Sequence, residues 1–198
     1  MSMRAESPAI EMTGVVKNYS ALRPLRVASL SVARSERVAI AGIDVVGAEV
    51  FLNLVTGASL PDAGEIKVFG QNTAAVASGE EWLASLDRFG IVSERAVVLE
   101  GSTVAQNLAL PFTLEIDPLT AETMARVRVL ADECDIAAQW IEQRAADVPA
   151  EVRARIHFAR AVALDPQLLL MEHPTAALAE GARAVLVRSS RACAKHAR

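Results

Sequence analysis

The chain has 198 residues, enough for one sizeable core, and hydrophobic residues make up 52% of it, which excludes a disordered chain. Its formal net charge of −4 gives no reason to expect nucleic-acid binding. The longest apolar runs fall short of the roughly 18 residues that a membrane-crossing helix needs, so any membrane link is expected to run through a partner. The opening MSMRAESPA lacks the apolar core of a signal peptide. Cys134 and Cys193 are far apart, without metal-ligand spacing, and read as reduced thiols of a cytoplasmic protein.

In chain order, Ile10 to Val16 reads as a strand, followed by a turn at Lys17-Asn18-Tyr19-Ser20. Leu25 to Val32 alternates apolar and polar residues, the pattern of a half-buried strand. Arg37 to Ala41 is a short apolar run that stops at Gly42, as a buried strand would. A loop bounded by Gly42 and Gly47 follows, and Ala48 to Thr56 then has helical spacing, closed by Gly57. Pro61-Asp62-Ala63-Gly64 is a turn, and Glu65 to Phe69 is a strand.

Further on, Trp82 to Leu86 reads as a short helix and Phe89 to Ser93 as a strand. Thr103 to Leu110 is expected to be a helix capped by Ser102 or Thr103 and followed by Pro111. A helix from Thr120 to about Cys134 and another from Ala138 to Arg144 complete a helical insert over about residues 103–144. Pro149 suits a helix start, with Asp147 near its N-cap, and that helix runs to Leu164. Gln167 to Met171 is an apolar strand of the fully buried parallel kind, and a last helix covers about Ala179 to His196. These elements describe one α/β domain over residues 1–198, with an antiparallel β portion at its N-terminal end.

The order of these stations carries a resemblance. KNY, GIDVVGAEV, LVTGASLPDAGEIKVFG, FGIVSE, STVAQNLALP and VPAEVRARIHFARAVALDPQLLLMEHPTAAL follow one another as in the ABC transporter ATP-binding subunits. The resemblance covers nearly the full chain. It implies a P-loop NTPase-like, mostly parallel sheet, ATP and Mg²⁺ as cofactors, a membrane-spanning transporter subunit as partner, a homo- or heterodimer, and a place beneath the inner membrane. The family continues into another strand and a switch histidine that this sequence lacks. Two central strands are thereby left with open edges, which close up, are filled by something else, or mark a C-terminally truncated chain; truncation is the favoured expectation.

Against that pattern, the chemistry is altered at nearly every station. A phosphate-binding loop needs G-x-x-x-x-G-K-[ST], because glycines turn backbone N–H groups inward, the lysine neutralises phosphate, and the hydroxyl ligates Mg²⁺. Here the Walker A stretch is Gly42, Ile43, Asp44, Val45, Val46, Gly47, with Ala48 at the lysine position, Glu49 at the hydroxyl position and Val50 after it. The chain has three lysines, Lys17, Lys67 and Lys195, and none is near this loop in sequence. Glu49 is expected either to satisfy the helix N-terminus in place of an anion or to point to solvent.

By resemblance, the Walker B aspartate and the catalytic glutamate are matched by Glu172 and His173, and the Q-loop glutamine by Glu94. The signature LSGGQ is matched by Val148-Pro149-Ala150-Glu151-Val152. Glu172 could still hold a metal, and His173 is either a base near neutral pH or a structural residue. Tyr19 matches the adenine-stacking aromatic and is equally an ordinary packing residue. A composite site joins the phosphate loop of one subunit to the signature of the other. This chain has lost both, so a normal partner would leave each site missing one half. Two functions therefore compete: a pseudo-ATPase that docks on or regulates a transporter, and an ATP-hydrolysing subunit that powers transport, possibly of lipid or lipoprotein.

Overall fold

The computed structural model describes residues 7–20, 22–76, 78–93 and 95–174. The chain divides into two compact units, Met1–Asp87 and Arg88–Arg198. In the first, β1 (Ile10–Lys17) lies antiparallel between β2 (Leu25–Val32) and β3 (Ala63–Val68), and β3 pairs with the two-residue β4 (Gln71–Asn72). Met12, Val15 and Ile66 are buried on this sheet, as are Leu54 and Val55 of helix α1 (Val45–Val55), which packs on β2 and β3. The register of β1 on β3 shifts between Thr13 and Val16. Gly64, at φ +87°, makes that shift possible, since a Cβ there would collide with the Gly14 carbonyl.

The expected strand over 37–41 is not formed, and Val38 and Ile40 are about half exposed. An apolar run becomes a buried strand only when neighbouring strands take up its backbone groups, and among the described residues none does. Helix α2 (Gly79–Leu86) begins earlier than its apolar residues suggest. Ser78 caps it by accepting from the Glu81 N–H, and Glu80 and Glu81 lie in its first turn. Trp82 Nε1 donates to the Thr56 carbonyl at 3.0 Å and ties α2 to the end of α1.

In the second unit β5 (Phe89–Val92) and β6 (Leu168–Met171) form the parallel pair. Helices α3 (Val104–Ala109), α4 (Ala121–Glu133) and α5 (Ala150–Val162) supply most of the core, with Val104, Leu108, Val127 and Ile156 fully buried. Thr103 and Gln106 form a reciprocal capping box on α3, and Thr120 caps α4.

The expected helix over Ala138 to Arg144 is instead a single 3₁₀ turn, Ala138–Trp140, followed by a loop. The backbone beyond that turn is used elsewhere. The carbonyls of Ile141 and Gln143 accept from Ala105 and Val104, and the N–H groups of Ala145 and Ala146 donate to Ser102 and Glu100. Those bonds complete the start of α3 and exclude the i→i−4 ladder of a helix. The helix expected over Ala179 to His196 lies outside the described residues.

Candidate functional site

The glycine-bounded loop is short. Gly42 has φ +79°, Ile43 is half-buried, and Asp44 is already the N-cap of α1. The Asp44 carboxylate accepts from the Gly47 N–H at 2.7 Å, and its carbonyl accepts from the Ala48 N–H at 2.8 Å. Aspartate is among the strongest N-caps, and this one starts the helix at Val45, ahead of the Ala48 start that apolar spacing suggested. Two residues, Ile43 and Asp44, are left outside the helix between the two glycines.

That geometry corrects the expectation for Glu49. The first turn of α1 holds no acidic residue, so Glu49 does not satisfy the helix end; Asp44 does. Gly47 and Ala48 are buried, and Glu49 and Val50 are half-buried.

Tyr19 is brought to the same place. A Cβ built on Gly47 would lie 2.8 Å from Asp44 Oδ1, 2.9 Å from Ile43 Cγ1 and 3.3 Å from the Tyr19 hydroxyl oxygen. The loop bearing Tyr19 is anchored by Asp62. Its Oδ2 accepts from the Asn18 N–H at 2.6 Å and from Asn18 Nδ2 at 2.8 Å, and its Oδ1 accepts from Lys17 Nζ at 3.2 Å. These donors, the Asn18 backbone foremost, hold the Asp62 carboxyl below the usual carboxylate range. The sequence marked Asp62 only as a turn residue; its partners lie more than forty positions away.

In the second unit Glu172 follows β6 directly, and its N–H donates to the Val92 carbonyl at 2.8 Å, extending the parallel ladder. The Glu172 side chain is buried and its Oε2 accepts from Ser93 Oγ at 2.8 Å. Ser93 Oγ also accepts from the Arg95 N–H at 3.3 Å. His173 sits at φ +42°, with its Nε2 buried and without a hydrogen-bond partner among the described residues. Glu94 lies outside the described residues. Among the described residues no group of three or more His, Cys, Asp or Glu is placed to hold a metal ion.

At the start of α5, Pro149 is the N-cap and makes no side-chain capping bond. Its carbonyl accepts from Val152 and Arg153, and the Arg153 guanidinium donates to the Val148 carbonyl at 2.8 Å. Glu151 is exposed in the first turn. Asp147, expected near the cap, instead pairs with Arg144 at 3.0 Å. Further along, Arg160 donates to the Val97 carbonyl at 2.7 Å. Burial, then the Arg160 charge, push the His157 imidazole below its ordinary range, and burial lowers Arg160 likewise.

Comparison with known proteins places this geometry. The family model described as ABC transporter matches residues 25–176. The Fe(3+) ions import ATP-binding protein FbpC of Serratia marcescens is 30% identical over 176 residues, covering 88% of this chain and 49% of that protein. The methionine import ATP-binding protein MetN of Brucella abortus (strain 2308) is 30% identical over 177 residues, covering 87% of this chain and 46% of that protein. The chain thus spans about half the length of these relatives or less.

Among solved structures, a bacterial ABC transporter cassette in dimeric form superposes with a TM-score of 0.71 at 20% identity, covering 94% of this chain and 83% of that one. A bacterial Atm1-family ABC exporter with ATP bound superposes with a TM-score of 0.73 at 23% identity, covering 98% of this chain and 35% of that one. At these identities the likeness establishes the fold.

Proposed function

The chain belongs to the ABC transporter ATP-binding family, and from that premise we propose that it is a pseudo-ATPase: a subunit that binds ATP weakly or not at all and serves as a docking or regulatory module for a membrane-spanning transporter subunit. In this reading it is one domain, on the cytoplasmic side of the inner membrane, peripheral to it through that partner, and able to form a homo- or heterodimer.

The observation that carries the reading is the bond from Gly47 N–H to the Asp44 carboxylate at 2.7 Å. A phosphate cradle offers such donors to an anion from outside the chain. Here one is spent on an anion inside the chain, and the next, at Ala48, is spent on the Asp44 carbonyl. The residues present therefore do not fit Mg-ATP. Loss of the charged donor at the lysine position removes roughly 1.5–3 kcal/mol, or about ten- to a hundredfold in affinity. The carboxylates of Asp44 and Glu49 oppose a triphosphate further by like-charge repulsion. At the Walker B position Glu172 is engaged by Ser93, and at the signature position proline removes a backbone donor.

Calorimetric titration of the purified chain with Mg-ATP tests the proposal. The expected result is no saturable binding into the millimolar range. A micromolar dissociation constant, or ATP turnover abolished by Glu172→Gln, would restore the reading as an ATP-hydrolysing transport subunit.

A further inference from the structure

The run over 37–41 is used neither by the fold nor by the reading above. All five of its residues are exposed, and among the described residues none of their backbone N–H or carbonyl groups is hydrogen-bonded. We infer that this run is a docking edge for a second copy of this chain, the two copies pairing it antiparallel about a two-fold axis at Ala39. The inference gives a surface to the dimer of the reading above, and it rests on that reading only for the expectation of a dimer.

The run is held at both ends. Before it, the Glu36 N–H donates to the Ala33 carbonyl at 3.2 Å, and the Glu36 carboxylate accepts from the Ala33 N–H at 2.7 Å. After it, Gly42 turns the chain at φ +79° and Asp44 caps α1. A segment fixed at both ends loses less freedom on pairing than a free one. Its composition suits a strand. Val38 and Ile40 are β-branched, about half exposed and two positions apart, so they share one face of an extended backbone. The sheet of the first unit, ordered β2-β1-β3-β4, does not take the run as a strand. Open edges are commonly blunted by lysine or proline, and 37–41 contains neither.

The residue pattern fits its own copy. With Ala39 on the axis as a hydrogen-bonded pair, Val38 of each copy lies opposite Ile40 of the other, in a non-hydrogen-bonded pair whose side chains are closest. Two cross-strand pairs of β-branched side chains thus gather on one face. Arg37 falls opposite Ala41 and Glu36 opposite Gly42, so no like charges meet. An in-register parallel pairing would instead set Arg37 against Arg37 and Glu36 against Glu36. The self-complementary antiparallel register is therefore the one the charges favour, and it makes the partner a second copy.

Sedimentation equilibrium of the full chain over a concentration series tests the pairing. The wild type is expected to show a reversible monomer–dimer equilibrium. It is expected to be weak, because five residues a side fall well short of the roughly 20–30 of a standard interface. Ala39→Pro removes the two N–H donors at the axis. That N–H has no acceptor among the described residues, so the change is expected to leave the melting temperature in place while weakening the dimer about tenfold. Val38→Lys is expected to weaken it likewise. Adding Ile40→Glu to Val38→Lys is expected to recover part of the loss, because the register sets the two substituted positions opposite each other. A wild type that stays monomeric up to about 1 mM, a dimer indifferent to Ala39→Pro, or a doubly substituted chain weaker than Val38→Lys alone overturns the pairing and leaves the pseudo-ATPase reading standing. A dimer of the Ala39→Pro chain that forms only with Mg-ATP overturns that reading instead.

Discussion

Asn107 holds the loop that leads into the helical insert, and Asn107→Ala shows how much that loop depends on one side chain. The Asn107 side chain is fully buried. Its Oδ1 accepts from the Leu99 N–H at 2.8 Å, and its Nδ2 donates to the carbonyls of Leu99 at 3.0 Å and Thr103 at 2.9 Å. The two carbonyls keep other donors, because Ser102 N–H bonds to Leu99 and Asn107 N–H bonds to Thr103. The Leu99 N–H has no second acceptor among the described residues. Alanine therefore strands one buried donor, at about 1–3 kcal/mol, and leaves a small void that adds to it.

A total of roughly 2–3 kcal/mol corresponds to a drop of about 4–12 °C in melting temperature for a chain of this size. Asn107→Asp is expected to be worse than alanine. It restores the acceptor for Leu99 but turns a carboxylate oxygen toward two carbonyls in a site closed to water. Thermal melts of the three proteins, with hydrogen exchange at the Leu99 amide as the local readout, check the order wild type, alanine, aspartate. A loss under about 0.5 kcal/mol for alanine, or unchanged exchange at Leu99, refutes the reasoning and means that water or backbone movement satisfies the donor. The loop presents the exposed side chains of Val97 and Leu99 between the FGIVSE and STVAQNLALP stretches.

Two further predictions concern single groups. His157 is held below its ordinary pKa by burial and by Arg160, so the unfolded chain binds more protons and stability falls as pH drops from about 6.5 toward the folded-state value. Urea midpoints in steps from pH 8 to 5 should show that fall, and His157→Gln should flatten it; a wild-type midpoint independent of pH in that window contradicts it. Ser93→Ala leaves the buried Glu172 carboxylate without its hydroxyl donor and is expected to cost about 1–3 kcal/mol. In a Glu172→Leu background the serine has no carboxylate to serve, so the same change should cost markedly less, measured by the same denaturation.

Much of the fold was legible because it obeys local rules. Strand β2 matches its alternating run Leu25 to Val32 residue for residue, α3 begins after Thr103, one of the two caps expected for it, and α4 begins at the expected Thr120 stretch. What was not legible depends on partners distant in sequence. The run over 37–41 has the composition of a buried strand but lacks the neighbours that make one. Residues 141–146 have helical composition, yet their backbone groups serve the start of α3. Asp62 and Ser93 act through contacts across 44 and 79 positions, which no local pattern encodes. Of the candidate residues, the loop and Tyr19 in the first unit and the Glu172–His173 pair in the second were marked by resemblance. The role of Asp44 was not, because the lost lysine and the glutamate after it drew attention to position 49, while the N-cap rule applies at 44.

A scaffold shaped around a ligand exposes polar groups that only the ligand satisfies, and losing the ligand normally leaves those groups as a cost. On the pseudo-ATPase reading, two such groups of this chain are satisfied from within. At the loop the donor of Gly47 has an aspartate, and at the strand end the carboxylate of Glu172 has a serine. Asp44 supplies an acceptor for the N–H and Ser93 a donor for the carboxylate. Among the described residues the His173 Nε2, buried on a left-handed backbone, has no such partner. Under the proposed reading, groups satisfied within each unit keep their arrangement with the site empty, which a docking module requires and an ATP-driven motor, switching its shape with occupancy, does not.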